Sequence, residues 1–274
     1  MLSVNTNVGA MVALQSLNKT NDELAMTQGR INSGMAVSSA KDNGAVFAIA
    51  QNMRGDVAGL RAVSQSLDRA VSAVDTALAA GEAISDLLID MKEKALAASD
   101  VSLDTASREA LNEDFVALRN QIATIASNAF FNGVNLVDGT STSIAALASA
   151  DGGSSITVTG EDLSLGGSIV SVASTQQIST QTDAANAQSD VEASMQAVNN
   201  ALARLGTSSK KLEVHNSFVG KLSDTLRGGI GNLVDADMAV ESARLQALQV
   251  KQQLGVQALS IANSAPSIVL GLFR

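Results

Sequence analysis

Cysteine, tryptophan and tyrosine are absent from this 274-residue chain, and proline occurs once, at Pro266. Without thiols there is no disulfide, no iron–sulfur cluster and no thiolate nucleophile. That absence fits an ordinary intracellular protein, and it fits equally a secreted one that avoids stray cross-links. Large rings are scarce too, with six phenylalanines, although 46% of the residues are hydrophobic. A core must therefore be built from Ala, Val, Leu, Ile and Met, which suits close helix–helix packing better than a broad sandwich. Scarce proline points the same way, because an interior proline removes a helix hydrogen bond and clashes with the preceding turn. Positive charge is in short supply: the net charge is -9, with no run of five like charges and no polybasic patch. Such a chain repels phosphate, so neither nucleic acid nor a membrane surface is expected as a partner. Residues 1–20 lack the basic and apolar regions of a secretory signal peptide, and no stretch of 18 apolar residues could span a bilayer. If the product leaves the cell, the expected route needs no cleaved signal.

What is present is periodicity. Leu60, Val63, Leu67, Ala70, Val74, Ala77, Gly81, Ile84, Leu88, Met91, Ala95 and Ala98 alternate by three and four. Only Gly81 breaks the apolar rule, and the pattern is a heptad seam of the coiled-coil type. As one helix it would run roughly 58 Å at the α-helical rise. A second seam reads Leu111, Phe115, Leu118, Ile122, Ile125, Ala129, with Asp104 or Thr105 as its cap and a turn at Asn132-Gly133. A third runs from Val191 through Met195, Val198, Leu202, Leu205, Leu212, Val219 and Leu226 to Leu233. Ser209, Asn216 and Ser223 interrupt it. Either they set register in a bundle, as polar core residues do, or they mark surface positions where the seam drifts.

The ends and the middle differ from these rods. Residues 4–35 carry a looser stripe of Val8, Met11, Leu14, Leu17, Leu24 and Ile31. Residues 240–272 are apolar on nearly every side, and a helix of that kind must be buried all round. A single chain cannot do this for a terminal helix, so partners are required. The middle, 138–182, is rich in Gly, Ser and Thr. Ile156-Thr157-Val158-Thr159 and Ile169-Val170-Ser171-Val172 alternate at period two and predict one or two short hairpins. The fold class expected is mainly α: long coiled-coil helices from the N- and C-terminal halves packed together, with a short β-hairpin excursion between them.

No chemistry-bearing constellation emerges. His215 is the sole histidine and has no second ligand at helical spacing, so a packing or exposed position on a long helix is expected. Asp235, Asp237 and Glu241 lack the glycine and further oxygens of a calcium loop and suit a helix N-terminus. Gly228-Gly229-Ile230-Gly231 has no preceding strand and no following Lys-Ser/Thr, and reads as a break between helices rather than a phosphate loop. Without a base beside a nucleophile, no catalytic, metal or cofactor site is expected, and the chain is read as a structural protein, not an enzyme.

A set of motifs then stands out in order. Val4-Asn5-Thr6-Asn7 opens the chain; Arg30-Ile31-Asn32-Ser33-Gly34 and Ser39-Ala40-Lys41-Asp42-Asn43-Gly44-Ala45 follow. Phe131-Asn132-Gly133-Val134 closes the second seam. Asp235-Ala236-Asp237-Met238-Ala239, Ala262-Asn263-Ser264-Ala265-Pro266 and a final Leu272-Phe273-Arg274 complete the set. Together these resemble bacterial flagellin, over roughly residues 1–140 and 183–274. The resemblance implies a minimal flagellin: an inner coiled coil from 1–44 and 231–274, a rod-like helical domain from 45–137 and 183–230, and the 138–182 hairpin segment. It implies a subunit that polymerises into the bacterial flagellar filament for motility, with termini that fold on assembly. The expected partners are copies of itself in a helical homopolymer, the filament cap and hook-junction proteins, the flagellar export chaperone and the type III export apparatus. The expected location is extracellular, in the filament. Self-assembly is expected to rest on Val8, Met11, Leu14, Leu17, Leu245, Leu248, Leu254, Leu259, Ile261, Leu270, Phe273 and Arg274.

The resemblance also carries a contrast. Many flagellins place an Arg, a Leu and a Gln in the helix that contacts a vertebrate innate immune receptor. At the matching positions stand Asp90, Lys94 and Ala97, a charge reversal and two lost contacts. Purified monomer is therefore expected to stimulate that receptor weakly or not at all in a reporter-cell assay; potent activation would refute the alignment.

Overall fold

A computed structural model describes the backbone of residues 6–271 and the side chains of residues 6–264. The expected assembly residues Leu270, Phe273 and Arg274 therefore have side chains outside the described residues. The elements are α1 (Val8–Ser33), α2 (Gly44–Ala98), α3 (Thr105–Asn128), β1 (Phe130–Phe131), β2 (Val134–Asn135), β3 (Ser143–Leu147), β4 (Ser155–Thr159), α4 (Gln181–Val234) and α5 (Met238–Gly271). The chain forms two compact units, one from Met1–Gly55 with Thr225–Arg274, the other from Asp56–Asp224.

The Asp56–Asp224 unit is organised by the α2 seam. All twelve positions, from Leu60 to Ala98, are buried, Gly81 included. Opposite lies α4, whose Val191, Val198, Leu205, Leu212 and Val219 are buried in turn. Gly81 is closely covered by α4: a methyl group there would stand 2.7 Å from Leu202 Cδ2. Two polar members of the third seam, Ser209 and Asn216, bond across to α2. Ser209 donates to Asp75 Oδ1 (3.3 Å), and the Asn216 amide donates to Asp68 Oδ1 (2.7 Å) while its oxygen accepts from Ser64 (2.7 Å). These cross-helix bonds fit only one axial register, so Ser209 and Asn216 specify pairing as buried polar groups do in coiled coils.

Helix α3 packs over this pair through Phe115 and Ile122, both fully buried. Its N-cap is Asp104, which accepts from Ser107 N (2.6 Å) and resolves the choice between Asp104 and Thr105. Arg108 reaches back to donate to the carbonyl of Ala98, the last residue of α2, and to those of Asp100 and Leu103 in the connector. The turn at Asn132 (φ 50°) and Gly133 (φ 81°) joins β1 to β2, the positive φ pair that a two-residue hairpin demands.

One strand assignment differs from expectation. The Ile156–Thr159 alternation does form β4, paired antiparallel with Ser143–Leu147, but 169–172 forms no strand. Ser171 N instead donates to the Ser194 hydroxyl (3.0 Å), and Val170 makes only a single parallel bridge to Leu165. Ile169, Val170 and Val172 are nonetheless buried, so their alternation reflected packing without a ladder. The hairpin is pinned to α4 by His215, whose Nε2–H donates to the Ala148 carbonyl (2.9 Å) while its ring leans on Phe218 (centroids 5.9 Å apart).

Gly59 marks another tight approach. A methyl group there would meet Ala150 O at 2.8 Å and Ala150 Cα at 3.2 Å, both backbone atoms that cannot swing aside. Gly59→Ala is expected to destabilise the Asp56–Asp224 unit by about 1–3 kcal/mol despite its better helix propensity. Thermal unfolding followed by circular dichroism checks this; an unchanged or raised Tm would contradict it.

Candidate self-assembly surface

The Met1–Gly55 and Thr225–Arg274 unit is built on one antiparallel helix pair, α1 with α5. Its contacts ascend one helix as they descend the other. Leu17 faces Gly255, where an added methyl would stand 3.1 Å from Leu17 Cδ1. Gln252 donates to Asn21 Oδ1 (2.7 Å), Lys251 pairs with Glu23 (4.0 Å), and Arg30 with Glu241 (3.0 Å). The last pair is the most sheltered. Glu241 is 7% exposed, and its Oε2 is buried with no hydrogen-bond partner among the described residues. Removing Arg30 would leave that carboxylate uncompensated, the costly way to break such a pair.

Each helix ends in a short connector, and the two connectors are bonded to each other. Gly34 closes α1 in the left-handed region (φ 70°). Its carbonyl accepts from Ala236 N (2.9 Å), and Val234 O accepts from both Ala36 N (2.7 Å) and Val37 N (3.2 Å). Asp237 then starts α5, accepting from Ala239 N and Val240 N. The glycine cluster at 228–231 is not the break expected from sequence. Helix α4 runs through it to Val234, and Gly229 lets Met53 Cε approach. The chain actually breaks at Asp235–Asp237, where the connector bonds replace helical ones.

In the α1–α2 connector, one carboxylate oxygen organises the turn. Asp42 Oδ2 accepts from the backbone N–H and the hydroxyl of both Ser38 and Ser39, at 2.9–3.1 Å. The Ser39 backbone N–H, followed by the Ser38 bonds, holds its carboxyl below the usual carboxylate range. Sequence reading quoted Ser39 and Asp42 as part of a motif but assigned them no role; the Ser-Ser-x-x-Asp spacing was the available clue.

Pairing α1 with α5 leaves much apolar surface in water. Val8 and Met11 are each 66% exposed, Leu254 and Ile261 each 65%. Leu14 is exposed as well, as are Val12, Met26, Val240, Val250 and Val256. Leu17, Leu245 and Leu259 are half-buried. Leu248 stands apart: it is covered within the single chain. Full burial of each exposed side chain would contribute about 1.5–3 kcal/mol, and a second copy of the same pair offers an apolar face to do it.

The Asp90, Lys94 and Ala97 positions lie on α2. Asp90 and Ala97 are exposed, whereas Lys94 is engaged by Asp114 of α3 (3.0 Å). The hydrogen bond from that lysine to Asp114 raises its pKa, so it stays charged and tethered.

Family models extend over most of the chain. The model described as the bacterial flagellin N-terminal helical region matches residues 4–142, and the bacterial flagellin C-terminal helical region matches 188–273. Among relatives, Flagellin FljM of Caulobacter vibrioides is 54% identical over 272 residues, covering 99% of this chain and 98% of its own. A flagellin of Brucella melitensis is 36% identical over 283 residues, covering both chains completely. Among solved structures, a flagellar hook-associated protein from Vibrio parahaemolyticus superposes with a TM-score of 0.59 at 12% identity, covering 71% of this chain and 100% of that one. Bacillus cereus flagellin superposes at 0.50 with 22% identity, covering 56% and 88%. At those identities the two structures speak for the fold alone.

The Asp42 turn yields a signed pH dependence. Because its folded pKa is depressed, its stabilising contribution is present above the ordinary carboxylate pKa of about 3.9 and is lost as pH falls through the lower folded value. Asp42→Ala should therefore weaken filaments at neutral pH, and the gap to wild type should close below about pH 4. Disassembly temperatures measured across pH check this; a gap that widens in acid would contradict it.

Proposed function

The chain belongs to the bacterial flagellin family, and from that premise we propose that its two ends are unfolded in the free subunit and fold on joining the filament. The protein is a structural subunit of the flagellar filament, a self-polymerising helical homopolymer, and not an enzyme. The observation that carries the proposal is the exposed apolar surface of α1 and α5, at Val8, Met11, Leu14, Leu254 and Ile261 above all. Ordering a residue costs about 1–2 kcal/mol of backbone entropy, and isolated helices are marginal in water. A lone α1–α5 pair gains too little burial to meet that cost. Neighbouring subunits supply the missing walls, so folding and docking become one reaction, with ordering offsetting part of the contact energy.

On this reading residues 1–44 and 231–274 form the inner layer, 45–137 and 183–230 the surrounding rod, and 138–182 a small outward segment. Leu17, Leu245, Leu259, Leu270, Phe273 and Arg274 complete the assembly set. A heterologous, non-closing interface is what propagates such a filament without limit. Unfolded ends and the absence of cysteine suit passage through a narrow export channel. Export by the flagellar type III apparatus, a chaperone that shields the ends beforehand, and contacts with the filament cap and hook-junction proteins are part of the proposal. So is the extracellular location; no helix among the described residues is long and apolar enough to cross a membrane.

Leu254→Asp and Ile261→Asp test this directly. Each should reduce seeded elongation about ten- to a hundredfold, while the Tm of the Asp56–Asp224 unit stays at the wild-type value. Normal elongation by both variants would count against the apolar ends as the assembly surface.

A further inference from the structure

Two motifs from opposite ends of the chain meet at a hydrogen bond between Asn7 and Ala262. The Asn7 side chain donates through Nδ2 to the carbonyl oxygen of Ala262 at 2.7 Å. Its Oδ1 accepts from Ala10 N at 3.0 Å, so the same residue caps the start of α1. Ala262 is no arbitrary acceptor. In an α-helix the carbonyl of residue i is satisfied by the N–H of residue i+4. Four residues after Ala262 comes Pro266, which has no N–H, and α5 continues past it to Gly271. The proline thus frees one carbonyl in the interior of α5, and that carbonyl receives the Asn7 amide. A methyl group built at Gly9 would be in ordinary contact with Ala262 Cβ, 4.0 Å away, so the start of α1 lies beside this turn of α5.

We propose that Asn7 is the register-setting residue of the terminal helix pair, supplying to Ala262 the hydrogen bond that Pro266 cannot give. Other polar links between α1 and α5 join long, flexible side chains such as Lys251, Gln252 and Arg30, which can follow a small slip. Asn7 is short and reaches a backbone atom. Elsewhere in α5 no proline removes a helical donor, because Pro266 is the only one in the chain. A slip of one turn, about 5.4 Å, would leave the Asn7 amide facing an occupied carbonyl and Ala262 O with none. Subunits in a helical lattice must present identical surfaces, so a unique pairing of the two ends serves the polymer as well as the chain.

The proposal rests on α1 and α5 pairing in the filament, but not on whether they are ordered before docking, which would change absolute rates and leave the ratios below intact. Two comparisons of seeded elongation test it on the full chain. Asn7→Asp and Asn7→Ser both keep a capping oxygen. A capping role alone ranks Asp at least equal to Ser, with the helix dipole in its favour. The proposed bond ranks Asp lower, because a carboxylate oxygen would face the Ala262 carbonyl; N7D should elongate at least about fivefold less well than N7S. The second comparison uses P266A, which restores the N–H. N7S should cost about fivefold beside Pro266 and less than about twofold in the P266A background. N7D growing as well as N7S would overturn the proposal, and so would N7S carrying the same penalty, or the same complete loss of growth, in both backgrounds.

Discussion

An apolar helix pair that a single chain cannot cover is the constraint from which the rest of this protein follows. Leu248 is buried and Leu17, Leu245 and Leu259 are half-buried, yet Val8, Met11, Leu254 and Ile261 remain in water. In an isolated domain such a surface would be a defect. In a subunit with a place in a helical lattice it is, on the proposed reading, the assembly force, because every copy brings the same unmet face. Composition fits this use: Leu, Val, Ile and Met give non-directional burial, and the shortage of large rings leaves room for close helix approach.

The Asp56–Asp224 unit solves the opposite problem. Its α2 seam is buried from Leu60 to Ala98 within one chain, and the Phe115–Ile122 face of α3 completes the cover. Polar groups there specify pairing more than they strengthen it. Asn216 and Ser209 tie α4 to α2 at one register through Asp68, Ser64 and Asp75. A similar division operates in the terminal unit, where Arg30–Glu241 and the bonded connectors fix geometry while apolar surface is left for neighbours. On the proposed reading, one unit is folded in advance and the stability of the other depends on company.

Much of this was legible in the sequence, and the reasons are specific. The α2 seam could be read to the residue because a long buried helix leaves an unbroken three–four pattern and contains no proline. The Asn132-Gly133 turn was legible because few residue pairs adopt two consecutive positive φ angles. The apolar ends were legible because α5 carries apolar residues on nearly every side. Long-range pairings were harder. The β3 strand, Ser-Ile-Ala-Ala-Leu, has no alternation strong enough to announce itself beside Ile156–Thr159, whereas 169–172 alternates without gaining a strand partner. The glycines at 228–231 suggested a break because single-sequence reasoning charges glycine against helix propensity; close contact with Met53 and the Val234 connector bonds outweigh that local cost. Bonds such as Asn7 to Ala262 span 255 residues of sequence, and no local pattern encodes them.

Amide hydrogen exchange on the full chain, compared between free subunit and filament, is the most direct measurement of assembly-coupled folding. Residues 8–33 and 238–271 should exchange close to the unprotected rate in the free subunit and become strongly protected in the filament, while 56–224 is protected in both. Ends that are already protected in the free subunit, to the same degree as α2, would contradict coupled folding and leave the exposed apolar face without the role assigned to it.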